Sequence, residues 1–154
     1  NIFQPKPTST MIALCSSILF LIITLSFYFR EKRLYKKAQQ KTENDIKIIE
    51  NNLSYYSVQV TRLAQDLLDF YKFDQDRRTR SIVTINEVIS SIEEILEKLD
   101  DTISQAMFNK NTMGTKRLMR AENKFFYLKL NAHRLHGEMN EVLLRDKNFV
   151  VSGK

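Results

Sequence analysis

Residues that interrupt helices are scarce in this chain, which has two prolines and three glycines among 154 residues and no tryptophan. Both prolines, Pro5 and Pro7, precede Thr8, and proline is the residue that breaks helices most strongly. Long helices are therefore permitted along almost the whole sequence.

The residues that usually carry catalysis are also scarce. The single cysteine, Cys15, lies in an apolar run, which excludes a disulfide framework. No glycine-rich phosphate loop is present, because Gly114 and Gly153 are isolated and Gly137 falls within a helical pattern. The acidic residues are spread along helix surfaces near lysines and arginines, as on a solvated face. We expect no enzymatic activity and no cofactor.

Two histidines are the remaining candidates for metal chemistry. A spacing of three places His133 and His136 on one side of a helix, where they are weak candidates for a shared metal ion. No E-x-x-H or H-E-x-x-H pattern surrounds them. We therefore predict no metal site, and interpret both histidines as solvated or facing a partner.

Positive charge is concentrated near the N-terminus. Residues 1–41 contain seven basic side chains and one acidic side chain, so they account for the whole net charge of +6. Acidic and basic residues balance in the remainder. Because the excess surrounds an apolar segment, it predicts contact with anionic lipid headgroups and not with nucleic acid.

An uncharged apolar run extends from Met11 to Phe29 without proline or glycine. At ~1.5 Å per residue its helix would be roughly 28 Å long, close to the ~30 Å hydrocarbon core of a bilayer. Ser9 or Thr10 is the expected N-cap. A cleaved signal peptide fits poorly, because the basic cluster follows the run and no small-x-small cleavage site ends it. A buried helix of a soluble protein is the other alternative. We predict a single transmembrane helix.

Aromatic and basic residues follow at the end of this run. Aromatic rings favour the membrane interface, and basic residues favour the cytoplasmic side. We therefore predict that the N-terminus lies outside and the C-terminal domain lies in the cytoplasm, although a basic segment ahead of Asn1 would reverse this orientation. The predicted membrane-surface residues are Phe27, Tyr28, Phe29, Arg30, Lys32, Arg33, Lys36 and Lys37.

Three later segments carry apolar residues at alternating steps of three and four, the spacing of a helix with one apolar seam. The three seams extend from Ile46 to Phe70, from Ile82 to Ala106 and from Leu118 to Val142. Residues 74–81 and 109–115 are the predicted connections, with Thr79 or Ser81 capping the second helix and Thr115 the third.

Short connections make sequential helices antiparallel neighbours. We therefore predict an all-α protein with an N-terminal transmembrane helix and an antiparallel three-helix coiled-coil-like bundle. If the first helix continues unbroken from the span, the bundle stands up to ~20 Å from the bilayer, with the 109–115 connection facing it. The predicted segments are a tail (1–10), the transmembrane helix (11–29), a basic juxtamembrane helix (30–45), the bundle (46–147, with helices 46–73, 82–108 and 115–146) and a C-terminal tail (148–154).

Several apolar residues fall outside the seams. One interpretation is that a three-helix core is wider than its seams and includes them. The other is that they contact a fourth helix, from a second copy or another protein. A group of arginines is either a solvated loop or a site for an acidic partner; nucleic acid is not expected, because no aromatic residues are interleaved with them. The predicted partner-binding residues are Met119, Phe126, Leu130, Ile48, Tyr55, Arg77, Arg78 and Arg80.

The layout of one span, the run from Phe27 to Arg33 and three heptad segments resembles the EzrA family of bacterial division regulators. The resemblance implies an outside N-terminus and a spectrin-like three-helix unit in the cytoplasm, where members of that family carry several such units in series.

These features together predict a non-enzymatic single-pass membrane scaffold or structural subunit of a larger membrane-bound assembly. Its expected partners are anionic lipid headgroups and other protein subunits, including further copies of itself. The alternative is a membrane-anchored helical-bundle sensor or receptor domain on the outer side of the membrane. That alternative requires a second span and a signalling domain, which this sequence lacks, and the charge bias opposes it.

Overall fold

A computed structural model describes the backbone of residues 7–152 and the side chains of residues 8–146. It contains three α-helices: α1 (Pro7–Leu68), α2 (Gln75–Phe108) and α3 (Thr112–Ser152). A short 3₁₀ turn, Phe70–Lys72, lies between α1 and α2. No strand occurs in these residues, and the all-α prediction is confirmed. The predicted span, juxtamembrane segment and first bundle helix form one continuous helix.

Pro7 begins α1, in agreement with the preference of proline for the first turn of a helix, where its missing N–H group would have no partner. Ser9 and Thr10, the predicted N-caps, both lie inside this helix. That prediction was wrong because helical conformation extends upstream of the apolar run.

The chain divides at Lys41 into two compact units. The first unit contains the apolar run and the basic residues, and all described side chains from Thr8 to Lys37 are exposed. The second unit, which begins at Thr42, contains the remainder of α1, the 3₁₀ turn, α2 and α3. The protein's buried core lies entirely in this second unit.

All three predicted seams face the core of the second unit. Every seam position is buried or half-buried, because a repeat of three and four residues keeps one side of a helix turned toward its neighbours. The backbones of α2 and α3 approach each other most closely, and the alanines in their seams permit this approach. The largest fully buried side chains are Phe70, Phe125, Ile46, Ile85, Ile92, Leu99, Leu118 and Met139.

The helix α2 begins at Gln75, seven residues before the predicted boundary at residue 82. Asp74 is its N-cap, and the Asp74 carboxylate accepts a hydrogen bond from the Arg77 backbone N–H at 2.9 Å. The predicted caps, Thr79 and Ser81, lie inside the helix and donate their hydroxyls to carbonyls one turn earlier. The charged stretch is therefore the first two turns of a helix and not a loop.

The connection between α2 and α3 is a Schellman motif, a hydrogen-bonded end of an α-helix. The backbone N–H of Asn111 donates to the Ala106 carbonyl at 2.9 Å, and that of Lys110 donates to the Met107 carbonyl at 3.0 Å. Lys110 has a φ of 56°, the left-handed conformation that this motif requires and that glycine usually supplies.

The cap of α3 is Asn111, not the predicted Thr115. The Asn111 side-chain oxygen accepts a hydrogen bond from the Gly114 N–H at 3.0 Å, while the Thr115 hydroxyl donates to the Asn111 carbonyl at 2.8 Å. A Cβ atom at position 114 would lie 2.7 Å from the Asn111 side-chain amide. Gly114 therefore leaves room for the cap, and α3 begins three residues earlier than predicted, at Thr112.

Candidate membrane and partner-binding surfaces

The apolar run lies in the one described helix that is long and apolar enough to span a membrane, near the N-terminus. None of its most apolar window is buried within the protein. The Ser17 hydroxyl donates to the Ala13 carbonyl at 2.9 Å, and the Thr24 hydroxyl donates to the Phe20 carbonyl at 2.8 Å. These polar groups are therefore satisfied inside the helix, as a hydrocarbon environment requires.

The predicted membrane-surface residues are exposed on successive turns of α1. The rings of Tyr28 and Phe29 form an edge-to-face pair with centroids 5.9 Å apart. One turn further along, the Gln39 amide donates to the Tyr35 hydroxyl at 2.7 Å. Aromatic groups are thus followed directly by a cationic surface, the order found where a helix leaves a bilayer.

On α3 the predicted partner-binding residues Met119, Phe126 and Leu130 are exposed. Phe125, which directly precedes Phe126, is fully buried in the seam. The change from core to exposed surface therefore occurs between two consecutive residues. Tyr127, which the sequence analysis did not select, is also exposed and extends the apolar surface. The wider-core interpretation therefore does not apply to these positions.

On α1 the predicted residues Ile48 and Tyr55 are exposed as well. Ile48 lines a groove of about 300 Å³ between α1 and α2, together with Ile95 and Lys98 of α2. Phe126 instead lies within one turn of Lys129, whose ammonium group is 3.5 Å from the Glu93 carboxylate of α2. Ile48 therefore lies beside α2, whereas Phe126 lies one turn from a residue of α3 that is paired with α2.

The three arginines of the predicted basic surface have different roles. Arg77 and Arg80 are exposed, and the Arg77 guanidinium lies 3.7 Å from the centre of the Phe73 ring. Arg78 is 8% exposed, so assigning it to a partner-binding surface was wrong. The helical period explains the difference, because a rotation of about 100° per residue turns Arg78 inward while its neighbours remain outside.

Arg78 holds the 3₁₀ turn onto the helices. Its guanidinium donates to the carbonyls of Phe70 at 3.0 Å and Tyr71 at 2.6 Å, and forms an ion pair with Asp146 of α3. Three chain segments therefore meet at one buried cation.

A second arginine joins α3 to α1. The Arg117 guanidinium binds Glu43 at 3.0 Å and Glu50 at 2.9 Å, two carboxylates that lie two turns apart on α1. The hydrogen bonds that the guanidinium donates to Glu43 and then to Glu50 raise the pKa of Arg117 above its ordinary value. Sequence reasoning missed this contact because its partners are far apart in the chain.

A carboxyl pair lies between α2 and α3. Burial, followed by a hydrogen bond with Asp100 and repulsion from its charge, raises the pKa of Glu122 above its ordinary value. One oxygen of Glu122 is inaccessible to solvent and has no hydrogen-bond partner. A proton on one of the two carboxyls, those of Asp100 and Glu122, relieves this repulsion.

The histidines face separate polar neighbours. The His133 Nε2 atom is 3.8 Å from a Glu93 oxygen, and the His136 Nδ1 atom is 3.5 Å from the Asn140 amide. Among the described residues, no group of three or more histidine, cysteine, aspartate or glutamate side chains is arranged to hold a metal ion.

Comparison of the chain with protein-family models, with curated protein sequences and with solved structures found no match.

Proposed function

We propose that this protein is a non-enzymatic, single-pass membrane scaffold or structural subunit of a larger membrane-bound assembly. The observation that carries this proposal is the exposed stripe of Met119, Phe126 and Leu130 on α3. Large exposed apolar groups beside a complete core are typical of a surface that contacts another protein. The scaffold would act through non-covalent contacts at its helical surfaces.

Insertion of the apolar run into a bilayer is part of this proposal. Its support is the exposed apolar surface of Met11–Phe29 and the hydroxyl groups bonded within the helix. The basic residues that follow the run favour a cytoplasmic second unit and an N-terminus outside. Arg30, Lys32, Arg33, Lys36 and Lys37 would contact anionic headgroups, each contributing about 1 kcal/mol.

An antiparallel up-down-up arrangement of the bundle is also proposed. Contacts along α2 support it, since Arg78 near the start of α2 pairs with Asp146 late in α3, and Glu93 pairs with Lys129 near the middle. The three-residue connection between α2 and α3 favours the same arrangement. In this arrangement the bundle is a stiff element that presents its stripes at set positions along its length.

The substitution Phe126→Glu tests partner binding. A charge at the centre of a desolvated contact is expected to reduce the recovery of co-purifying proteins at least about tenfold, since hot-spot losses reach 2 kcal/mol or more. The measurement is quantitative pull-down of the tagged full-length protein in mild detergent, with circular dichroism of the purified variant to verify its helix content.

Asn86→Glu is the matched control, because Asn86 is an exposed polar residue on α2, outside the predicted partner-binding residues, and receives the same charge. It should leave the recovered proteins unchanged. Equal recovery with Phe126→Glu and the natural protein would refute the stripe as a contact surface. Loss of helix content in Phe126→Glu would show instead that Phe126 supports the core.

The proposed orientation has a separate test. In a Cys15→Ser background, Asn86→Cys is the only thiol, and it lies at an exposed position of α2. We expect a membrane-impermeant maleimide to label it only after the cells are permeabilised. Labelling in intact cells would contradict the cytoplasmic assignment and favour the alternative of a sensor domain on the outer side.

A further inference from the structure

The connection between α2 and α3 has an apolar tip. Met107, Phe108 and Met113 are all exposed, and Phe108 is 88% exposed, the highest value among the large hydrophobic residues of the described chain. None of the three belongs to a seam, and the sequence analysis did not select them. A protein in water rarely presents three such side chains within seven residues without a surface that covers them.

The strained backbone position at this tip is occupied by a lysine. Lys110 occupies the left-handed position of the Schellman motif, where glycine would avoid the steric cost of a side chain. Lys110 and Lys116 line the same shallow depression of about 340 Å³, together with Met107. Strained residues of this kind are concentrated at functional positions, and this one places a lysine beside exposed apolar groups.

The charge around the tip has one sign. Residues 102–121 contain four basic side chains, Lys110, Lys116, Arg117 and Arg120, and no acidic side chain. Arg117 binds the carboxylates of Glu43 and Glu50 on α1. Exposed lysines beside apolar side chains are the composition of a surface that binds an anionic lipid layer.

The position of the tip in the second unit supports the same partner. Arg117, six residues after the connection, binds Glu43, which directly follows the first residue of that unit. The tip is therefore at the same end of the second unit as its first residue, Thr42. In the chain, that first residue directly follows the basic stretch of residues 30–41.

We propose that the α2–α3 connection is a second membrane contact, in which Phe108 and Met113 enter the headgroup and acyl-chain boundary of an anionic lipid surface and Lys110 and Lys116 bind headgroup phosphates. The inference rests on the proposed membrane anchor. It gives the second unit a defined pose against the membrane, because a transmembrane helix and a lipid-bound tip hold the unit at two points.

The absence of natural tryptophan permits a direct test with single-tryptophan variants of the full-length protein. Phe108→Trp is reconstituted in phosphatidylcholine vesicles with and without phosphatidylglycerol. A second set of vesicles has the same compositions but brominated acyl chains, which quench the fluorescence of a tryptophan that reaches them. Both leaflets have the same composition, so the result does not depend on orientation. We expect emission at shorter wavelength in anionic vesicles and loss of intensity in the brominated set.

Two control variants separate this inference from the anchor itself. Tyr71→Trp, an exposed position in the 3₁₀ turn at the other end of α2, should remain unquenched. Phe20→Trp, in the apolar run, should be quenched in every brominated vesicle, with or without phosphatidylglycerol. Quenching of Phe20→Trp without quenching of Phe108→Trp would overturn the second contact but not the anchor. This holds even if the emission of Phe108→Trp moves to shorter wavelength, since a contact with protein can cause that shift without lipid. No quenching of Phe20→Trp would overturn the anchor and this inference together.

Lys110→Gly in the Phe108→Trp background tests the role of charge. This substitution removes both the cation and the backbone strain, so the urea midpoint should be equal or higher. The ratio of lipid-bound to unbound tip in anionic vesicles, measured by quenching, should fall about fivefold. Lys72→Gln, which removes an exposed lysine from the 3₁₀ turn, should leave the ratio unchanged. Equal quenching with and without Lys110 would contradict the proposed headgroup contact.

Discussion

Phe125→Ala is expected to lower the free energy of unfolding by about 3–5 kcal/mol. Phe125 is 0% exposed and belongs to the cluster that contains seam residues from all three helices. Its removal deletes a large apolar surface and leaves a cavity that rigid helices cannot fill completely. This cost is a large fraction of the 5–15 kcal/mol that typically stabilises a domain.

The neighbouring residue provides the control. Phe126 is 48% exposed, so Phe126→Ala removes less buried surface and should cost about 1 kcal/mol or less. Both variants are unfolded with urea as full-length proteins in mild detergent and followed by circular dichroism at the helical band. Equal midpoints for Phe125→Ala and Phe126→Ala would contradict the assignment of one residue to the core and the other to the surface.

Arg78→Ala is expected to destabilise the protein by about 2–4 kcal/mol. The guanidinium is bonded to the carbonyls of Phe70 and Tyr71 and paired with Asp146. Alanine removes the guanidinium from both carbonyls and from Asp146. The Phe70 carbonyl then keeps only the Phe73 N–H at 3.1 Å, at a fully buried residue where water cannot easily replace the lost donor. The expected result is a lower urea midpoint and loss of order first at the 3₁₀ turn, measurable by amide hydrogen exchange.

Arg77→Ala is the matched control for this charge. It removes an identical side chain from the adjacent position, where the contact is an exposed stacking on Phe73 worth about 0.5–1 kcal/mol. Arg78→Lys should recover only part of the lost stability, because an ammonium group cannot reproduce the fork of donors that a guanidinium presents. If Arg77→Ala were as damaging as Arg78→Ala, the buried network would not be the source of the effect.

The helices and their inward faces could be predicted from the sequence because both depend on local geometry. A repeat of three and four residues places Ile46, Ile92 and Phe125 each on the apolar face of its own helix, independently of the helix that packs against that face. All three residues are fully buried. The length and composition of the run from Met11 to Phe29 likewise follow directly from consecutive residues. The exposure of Phe126 follows from the same period, since it is one residue off the seam.

The ends of the helices were harder to predict because several residues compete to cap them. Asp74, Thr79 and Ser81 are all capable N-caps, and only the hydrogen bond to the Arg77 N–H distinguishes Asp74. At the other connection, Asn111 supplies the cap while Lys110 adopts the left-handed position without a glycine. A charged stretch near a predicted turn resembles a loop in the sequence even when it is the first part of a helix.

Periodicity and composition were therefore sufficient to determine three helices, one apolar segment and an electrostatically uneven chain, because each of these properties is local. The roles of individual charges required the tertiary structure. Arg78 is buried and Arg77 exposed because of what packs against each side of α2, and Arg117 finds Glu43 and Glu50 across a separation in sequence that no local pattern encodes. The apolar tip at Phe108 is likewise defined by the absence of a covering helix, a property of the assembled fold.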